Sequence, residues 1–244
     1  MFLKELEDYP WFPPYLRKMQ LEYVGWISVQ LKLYKPVLEL LSKFPSNKWT
    51  DLASGSGWPA FYLQKNNSNE IHYTLSDLYP DSVSNKVKQL VEVEPESLNL
   101  IDFQPQTGKQ YSIFNAFHHF TSKEQKQLIN KMKEARASCI IAEVLEPTWI
   151  CLLQVTLAAL IVQPLTAWAM QPFSILRLIT TYLIPIQLIT VAWDGWLSVL
   201  KSKSLSQYKA LVNDLADNQY SIEVKRIKQL HGNLIVILAQ PITS

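Results

Sequence analysis

The sequence predicts a three-layer α/β/α sandwich built on a mostly parallel sheet of seven strands. Three observations carry that prediction. From Lys48 onward, short apolar runs alternate with longer amphipathic ones, the rhythm of strands joined by helical crossovers. The first strand ends in Asp51-Leu52-Ala53-Ser54-Gly55-Ser56-Gly57-Trp58-Pro59. There, two residues without a Cβ let the backbone pass close to a ligand, and a proline suits the first turn of the next helix. The chain then closes on two extended runs around His231-Gly232-Asn233, as an antiparallel hairpin does.

Taken in order, residues 1–45 read as an N-terminal helical cap. An aromatic–proline knot, Tyr9-Pro10-Trp11-Phe12-Pro13-Pro14-Tyr15, leads into helix over 15–44 with a break at Pro36. Strands are expected at 48–53, 71–77, 97–101, 112–117 and 138–144, with helices at 58–65, 81–91 and 122–135. An apolar insertion fills 147–193. A helix capped by Asp194, a second helix over 204–218 and strands at 220–227 and 234–239 complete the chain, so that 46–146 and 194–244 form the sheet domain.

At 244 residues the chain can bury one sizeable core and carry a lid. Hydrophobic residues make up 48% and charged residues 18%, a globular balance. A net charge of +2, with no basic run interleaved with aromatics, argues against a nucleic-acid partner. Cys139 and Cys151 form neither a disulfide framework nor a metal spacing, which suits a reducing, cytoplasmic compartment. The acids of Met1-Phe2-Leu3-Lys4-Glu5-Leu6-Glu7-Asp8 stand where a signal peptide is apolar.

The insertion carries no charged side chain between Glu146 and Asp194 except Arg177. A membrane span needs ~20 apolar residues, so length alone permits one or two. Pro164, Pro172, Pro185, four glutamines and Arg177 argue against spans. The expectation is a bundle of apolar helices folded over the ligand face with its side chains inward, peripheral membrane contact being the intermediate case.

Ligands of parallel α/β sheets sit beyond the carboxyl ends of the strands. Asp51, Asp77, Asp102 and Asn115 all fall at expected strand ends and so could converge there. Gly55-Ser56-Gly57-Trp58-Pro59-Ala60 also fits a dinucleotide fingerprint, with Asp77 placed about 20 residues on. Asp51 favours a ligand carrying positive charge and would repel a pyrophosphate.

Four ordered stretches over roughly residues 45–145 resemble the class I S-adenosylmethionine-dependent methyltransferases. They are Asp51-Leu52-Ala53-Ser54-Gly55-Ser56-Gly57, Leu75-Ser76-Asp77-Leu78, Ile101-Asp102-Phe103 and Phe114-Asn115-Ala116-Phe117-His118-His119-Phe120. The block from Thr181-Tyr182-Leu183-Ile184-Pro185 to Leu200 resembles the insertion of a bacterial small-molecule branch of that family. The resemblance implies a Rossmann-like sheet and S-adenosyl-L-methionine as cofactor. It implies that Asp51 orients the methionine amino group, directly or through water. Ala53 (where glycine is commoner), Ser54, Gly55, Gly57 and Pro59 would form the cradle. Asp77 with Leu78 would meet the ribose, Asp102 and Phe103 the adenine, and Asn115 would face the methyl donor.

Methyl transfer from a sulfonium is an in-line displacement, in which the protein mainly aligns the partners and excludes water. A base is needed only where the acceptor must lose a proton. His119, or else His118, is the candidate, and strand alternation would send the two to opposite sides. Cys and His spacing supports no metal. Trp11, Tyr15, Tyr182 and Trp193 are the candidate contacts for a small, rather apolar acceptor. A nicotinamide-dependent oxidoreductase and a non-catalytic binding protein are the rival functions.

Overall fold

The computed structural model describes residues 4–67 and 70–242. Seven strands form one sheet in the order β3-β2-β1-β4-β5-β7-β6. They are β1 (Lys48–Leu52), β2 (His72–Ser76), β3 (Glu92–Val93), β4 (Gln110–Phe114), β5 (Ser138–Glu143), β6 (Tyr220–Gln229) and β7 (Gly232–Pro241). The first five run parallel; β7 is antiparallel to both β5 and β6. Strand order reverses between β1 and β4, which opens a crevice at the carboxyl ends of those two strands.

The sequence explains this layering. Every residue of β4 and β5 is buried, as central parallel strands covered on both faces must be. One face carries a cluster of Trp49, Tyr73, Phe114 and Leu75 under α2 (Lys35–Leu41) and α3 (Trp58–Asn66). The other packs Leu52, Ile113 and Ile141 against α4 (Ser122–Glu134) and α9 (Leu205–Val212). Edge strand β6 exposes Glu223 and Lys228, charges that discourage pairing with another chain. Capping boxes at Thr121–Glu124 and Ser204–Gln207 set where α4 and α9 start.

Several expected elements differ. The cap helix divides into α1 (Pro14–Gln30) and α2, broken at Lys32 (φ 55°), while Pro36 sits harmlessly in the first turn of α2. The helix expected over 81–91 is two short 3₁₀ turns, Pro80–Ser82 and Val87–Gln89. Ser84 explains this: its N–H donates to Ser56 and its hydroxyl to Glu22 Oε1, so local polar groups are spent on tertiary partners. The strand expected at 97–101 is irregular, because Asn99 Oδ1 accepts the Ile101 N–H in an Asx turn and Leu98 N–H bonds to Asp77 O. The third strand lies earlier, at β3. In the closing hairpin the strands are longer than expected, and the reversal falls at Leu230-His231 rather than 231–233.

The insertion comprises α5 (Trp149–Leu157), a π turn (Ala158–Val162), α6 (Gln163–Thr166), α7 (Ile175–Leu178), a second π turn (Ile179–Leu183) and α8 (Ile186–Lys201). Asp194 is no cap of α8. It lies inside that helix, and its carboxylate accepts the N–H groups of Leu6 (2.6 Å) and Glu7 (3.1 Å), tying down the N-terminal 3₁₀ turn Leu6–Asp8. The expectation of inward-facing apolar side chains is corrected: Trp149, Leu165, Trp168 and Leu183 are more than 60% exposed. Most of the buried residues of the insertion are polar or small, among them Gln163, Gln187, Thr181 and Ala159, beside Met170 and Val191.

Candidate active site

A cavity of about 600 Å³ opens at the crevice beside β1 and β4, a volume typical of small-molecule sites. Its floor begins at the β1–α3 loop. Ala53 (φ 53°) and Gly55 (φ 53°) both take left-handed backbone, and Ala53 adopts it at some cost. The Gly55 N–H donates to Asp77 Oδ2 at 2.7 Å, and the Tyr79 N–H to Asp77 Oδ1 at 2.8 Å. Burial raises the Asp77 carboxyl above its usual range, while these two bonds pull it back. Each oxygen keeps a second acceptor position.

Of the expected cradle, Ala53, Ser54, Gly55, Pro59, Asp77, Leu78 and Asn115 line the cavity. Gly57 does not. A Cβ there would stand 2.4 Å from Leu75 Cδ1 and 2.9 Å from Val87 Cγ1, so this glycine (φ 74°) packs the loop onto β2. Gly25 has the same role from the other side, its absent Cβ leaving room for Ser56 and Trp58. Asp51 is fully buried behind the loop, where its Oδ1 accepts from Ser112 Oγ at 2.6 Å and its Oδ2 has no partner. Burial pushes this carboxyl well above the usual range, despite the serine. Asp102 and Phe103 also stand off the wall; Asp102 is exposed, and Leu98–Ile101 lines the cavity instead. The Asx turn at Asn99 causes that shift.

The histidine pair does not lie on a strand. After β4 the chain turns at Asn115 (φ 50°) into a 3₁₀ turn, Phe117–His119, so strand alternation does not apply. His118 is buried away from the cavity, its Nδ1 2.6 Å from Glu143 Oε2. His119 lines the cavity among acids: Nδ1 lies 3.1 Å from Asp8, Nε2 3.4 Å from Glu5 and 4.0 Å from Glu7. Burial opposes its charge, but Glu5, Asp8 and Glu7 outweigh it and push the imidazole up to about 10. His119 is therefore an imidazolium at neutral pH. Burial and the neighbouring Glu5 carry the Glu7 carboxyl to about 8.

This acid cluster is what sequence reasoning missed. Glu5, Glu7 and Asp8 are brought over the sheet by the Asp194 tie, and Gln20 Nε2 bridges Glu7 and Asp194 at 3.0 and 2.6 Å. Lys201 Nζ lies 3.0 Å from Glu5 Oε1. The one available signal was the density of acids in residues 5–8, which had argued only against a signal peptide. Among the described residues, Glu5, His118 and His119 also bring ligand-type atoms within 4.8 Å of one another, a grouping that no sequence spacing shows.

Beyond His119 the cavity is walled by α1, α5 and α8, through residues such as Tyr23, Val24, Gln154, Val155, Val191 and Gly195. Trp11, Tyr15, Tyr182 and Trp193, the expected acceptor contacts, stand outside it with their rings exposed. The inner faces of α5 and α8 present smaller side chains to the cavity, and their aromatic residues turn outward.

No protein-family model and no curated protein matches the sequence. Among solved structures, the plantazolicin methyltransferase BpumL in complex with SAH superposes with a TM-score of 0.51 at 10% identity, covering 93% of this chain and 87% of that one. The fold is that of the class I methyltransferases. The magnesium protoporphyrin IX methyltransferase of Synechocystis PCC 6803 matches this methyltransferase fold at TM-score 0.49 and 12% identity, over 89% of this chain and 84% of that one. The pyocyanin biosynthetic protein PhzM matches at 0.47 and 11%, over 81% of this chain and 51% of its own. The chain thus spans about half the length of PhzM.

Proposed function

We propose that the protein transfers a methyl group from S-adenosyl-L-methionine to a small, rather apolar molecule. The observation that carries this reading is the course of one continuous cavity. It runs from the Ala53-Ser54-Gly55 loop and Asp77, past Asn115, to His119 and the apolar wall of α1, α5 and α8. The residues fit the cofactor. The free acceptor positions of Asp77 suit two ribose hydroxyls, and Leu78, Leu98, Leu100 and Ile101 make an apolar slot for a base.

When bound, the cofactor supplies a sulfonium methyl that is already electrophilic. The protein's share is then alignment and dryness. Asn115, held in left-handed backbone with its N–H on Ala142 O, projects the chain between the two halves of the cavity. His119, held as an imidazolium, does not fit the role of a free base. It acts as a cationic hydrogen-bond donor that steadies an acceptor oxygen as its proton is lost, with Glu5 or Asp8, the carboxylates ionised at neutral pH, as the proton's destination. His118, clamped by Glu143, supports the turn from behind.

The test is direct. Incubation with radiolabelled S-adenosylmethionine and extracts of candidate small molecules should give labelled product, and Asp77→Ala should abolish it at low cofactor concentration. Tight binding of a nicotinamide dinucleotide with no labelled product from any extract would overturn the reading.

A further inference from the structure

The outer face of the insertion carries no charge and exposes many large apolar side chains. Between residues 147 and 193 the single charged side chain, Arg177, is 1% exposed. Its guanidinium donates inward to the carbonyls of Ala167, Met170 and Pro172, and Glu22 lies 3.8 Å away. Outside, Trp149, Leu165, Trp168, Ile175, Leu183 and Ile189 are each at least 64% exposed. Residues Trp149–Thr166 have a mean hydropathy of 1.8, yet only 17% of them are buried. A soluble protein's core helix reaches such hydropathy only by being buried. Monomeric soluble proteins seldom expose contiguous apolar patches beyond a few hundred Å².

The occupant must be charge-free and extended, which describes the acyl boundary of a bilayer. Geometry favours lying in that boundary over crossing it. The segments Ile175–Leu183 and Ile186–Lys201 bend by 81° at their junction, so neither continues the other across hydrocarbon ~30 Å thick. One face of α5, at Cys151, Gln154 and Val155, continued by Ala158 of the π turn, lines the cavity of the sheet domain. With its first half committed to the cavity wall, the helix Trp149–Thr166 has too few free residues left to cross that thickness. Exposed tryptophans suit the headgroup level, where an apolar ring has a polar edge to satisfy.

We infer that the insertion seats the protein monotopically in one leaflet, and that a lipid-soluble acceptor enters the cavity from that leaflet past α5 and α8. The acceptor half of this inference rests on the methyltransferase reading. The same two helices are cavity wall on one side and apolar surface on the other, so an acceptor with an apolar body and one reactive polar group need not cross water. Its polar group meets His119, and its body stays among Val155, Ala158 and Val191.

The experiment is flotation with neutral phosphatidylcholine vesicles in high salt, beside calorimetry with S-adenosylhomocysteine on the same preparations. The full chain should float, and a Leu165→Glu/Trp168→Glu/Leu183→Glu variant, altered only at exposed positions, should lose at least tenfold in vesicle affinity while binding S-adenosylhomocysteine unchanged. Label transferred from S-adenosylmethionine in the presence of a total lipid extract should partition into the organic phase. A wild-type chain that binds S-adenosylhomocysteine but stays with the buffer, whether as monomer or as an oligomer closed by this face, overturns the seating. Label found only in water-soluble product overturns the route of entry. Flotation without S-adenosylhomocysteine binding would leave the seating intact and remove the methyltransferase reading beneath the acceptor half.

Discussion

The Gly55 N–H donates to Asp77 Oδ2 at 2.7 Å, tying the loop after β1 to the end of β2. One carboxylate thus shapes the cradle and offers its remaining acceptor positions to a ligand. Asp77→Ala should weaken S-adenosylhomocysteine binding by about 1–3 kcal/mol, the scale of lost hydrogen bonds to a charged group. It should also lower the melting temperature of the empty protein, because the loop tie is lost even without ligand. Paired calorimetry and thermal melts check both effects.

Gly57 and Gly55 should respond differently to alanine. At Gly57 the new methyl meets Leu75 and Val87 in the core, so Gly57→Ala should cost roughly 1–3 kcal/mol for overpacking on top of the left-handed backbone penalty that Gly55 shares. At Gly55 the nearest atom is Leu21 Cδ2 at 3.5 Å. Gly55→Ala should cost only the left-handed backbone penalty, roughly 1–2 kcal/mol. Chemical denaturation of the two variants gives the comparison; equal losses would mean that the packing account of Gly57 is wrong.

The acid cluster predicts how stability follows pH. His119 titrates near 10 in the folded protein, against its usual 6.5. Folding therefore takes up a proton between those values, and His119's contribution is complete below pH 6.5 and lost as pH rises toward 10. Glu7, raised from 4.5 to about 8, acts in the same direction across its own window. Glu5 and Asp8 are held below their usual values, against burial, chiefly by the His119 charge. Their contributions are lost as the solution turns acid. Stability should thus peak near or below neutrality and fall toward pH 10, with a shallower alkaline slope in His119→Gln. Denaturation midpoints from pH 5 to 10 decide this.

The same charge predicts the variant's kinetics. If His119 steadies a developing acceptor anion, His119→Gln should lower kcat roughly 10²–10³-fold, the scale of one lost oxyanion donor. Cofactor affinity should change little, since His119 lies at the acceptor end. A rate unchanged with the true acceptor would leave alignment alone as the source of catalysis.

Arg177 is the insertion's internal clamp. Arg177→Ala leaves the buried carbonyls of Ala167 and Met170 and the part-buried one of Pro172 without this donor, and should destabilise the insertion by about 3 kcal/mol. Limited proteolysis should then cut within 167–185 before the sheet domain. Uniform cutting throughout the chain would show that the clamp has no local role.

The sheet was legible because its signals are local. Alternation of elements, the Gly55–Pro59 junction and the closing run from Leu234 each follow from nearest-neighbour chemistry. Asp77 and Asn115 were legible as strand ends for the same reason. What sequence could not show depends on long-range ties. The strand expected near Ser97 gave way to an Asx turn at Asn99, moving Asp102 off the cavity. The expected cap at Asp194 became a tie across 188 positions to Leu6, and that tie assembles the acids around His119. Orientation of the insertion was also illegible, because apolar content is the same whether a side chain points inward or outward.

The central claim is that the crevice beside β1 and β4 takes the methyl donor. Titration calorimetry of S-adenosylhomocysteine into the purified protein, with NAD as the comparison ligand, tests it most directly. The account predicts saturable binding at one equivalent per chain, weakened in Asp77→Ala, and no heat from NAD. Saturable NAD binding with none from S-adenosylhomocysteine would contradict it.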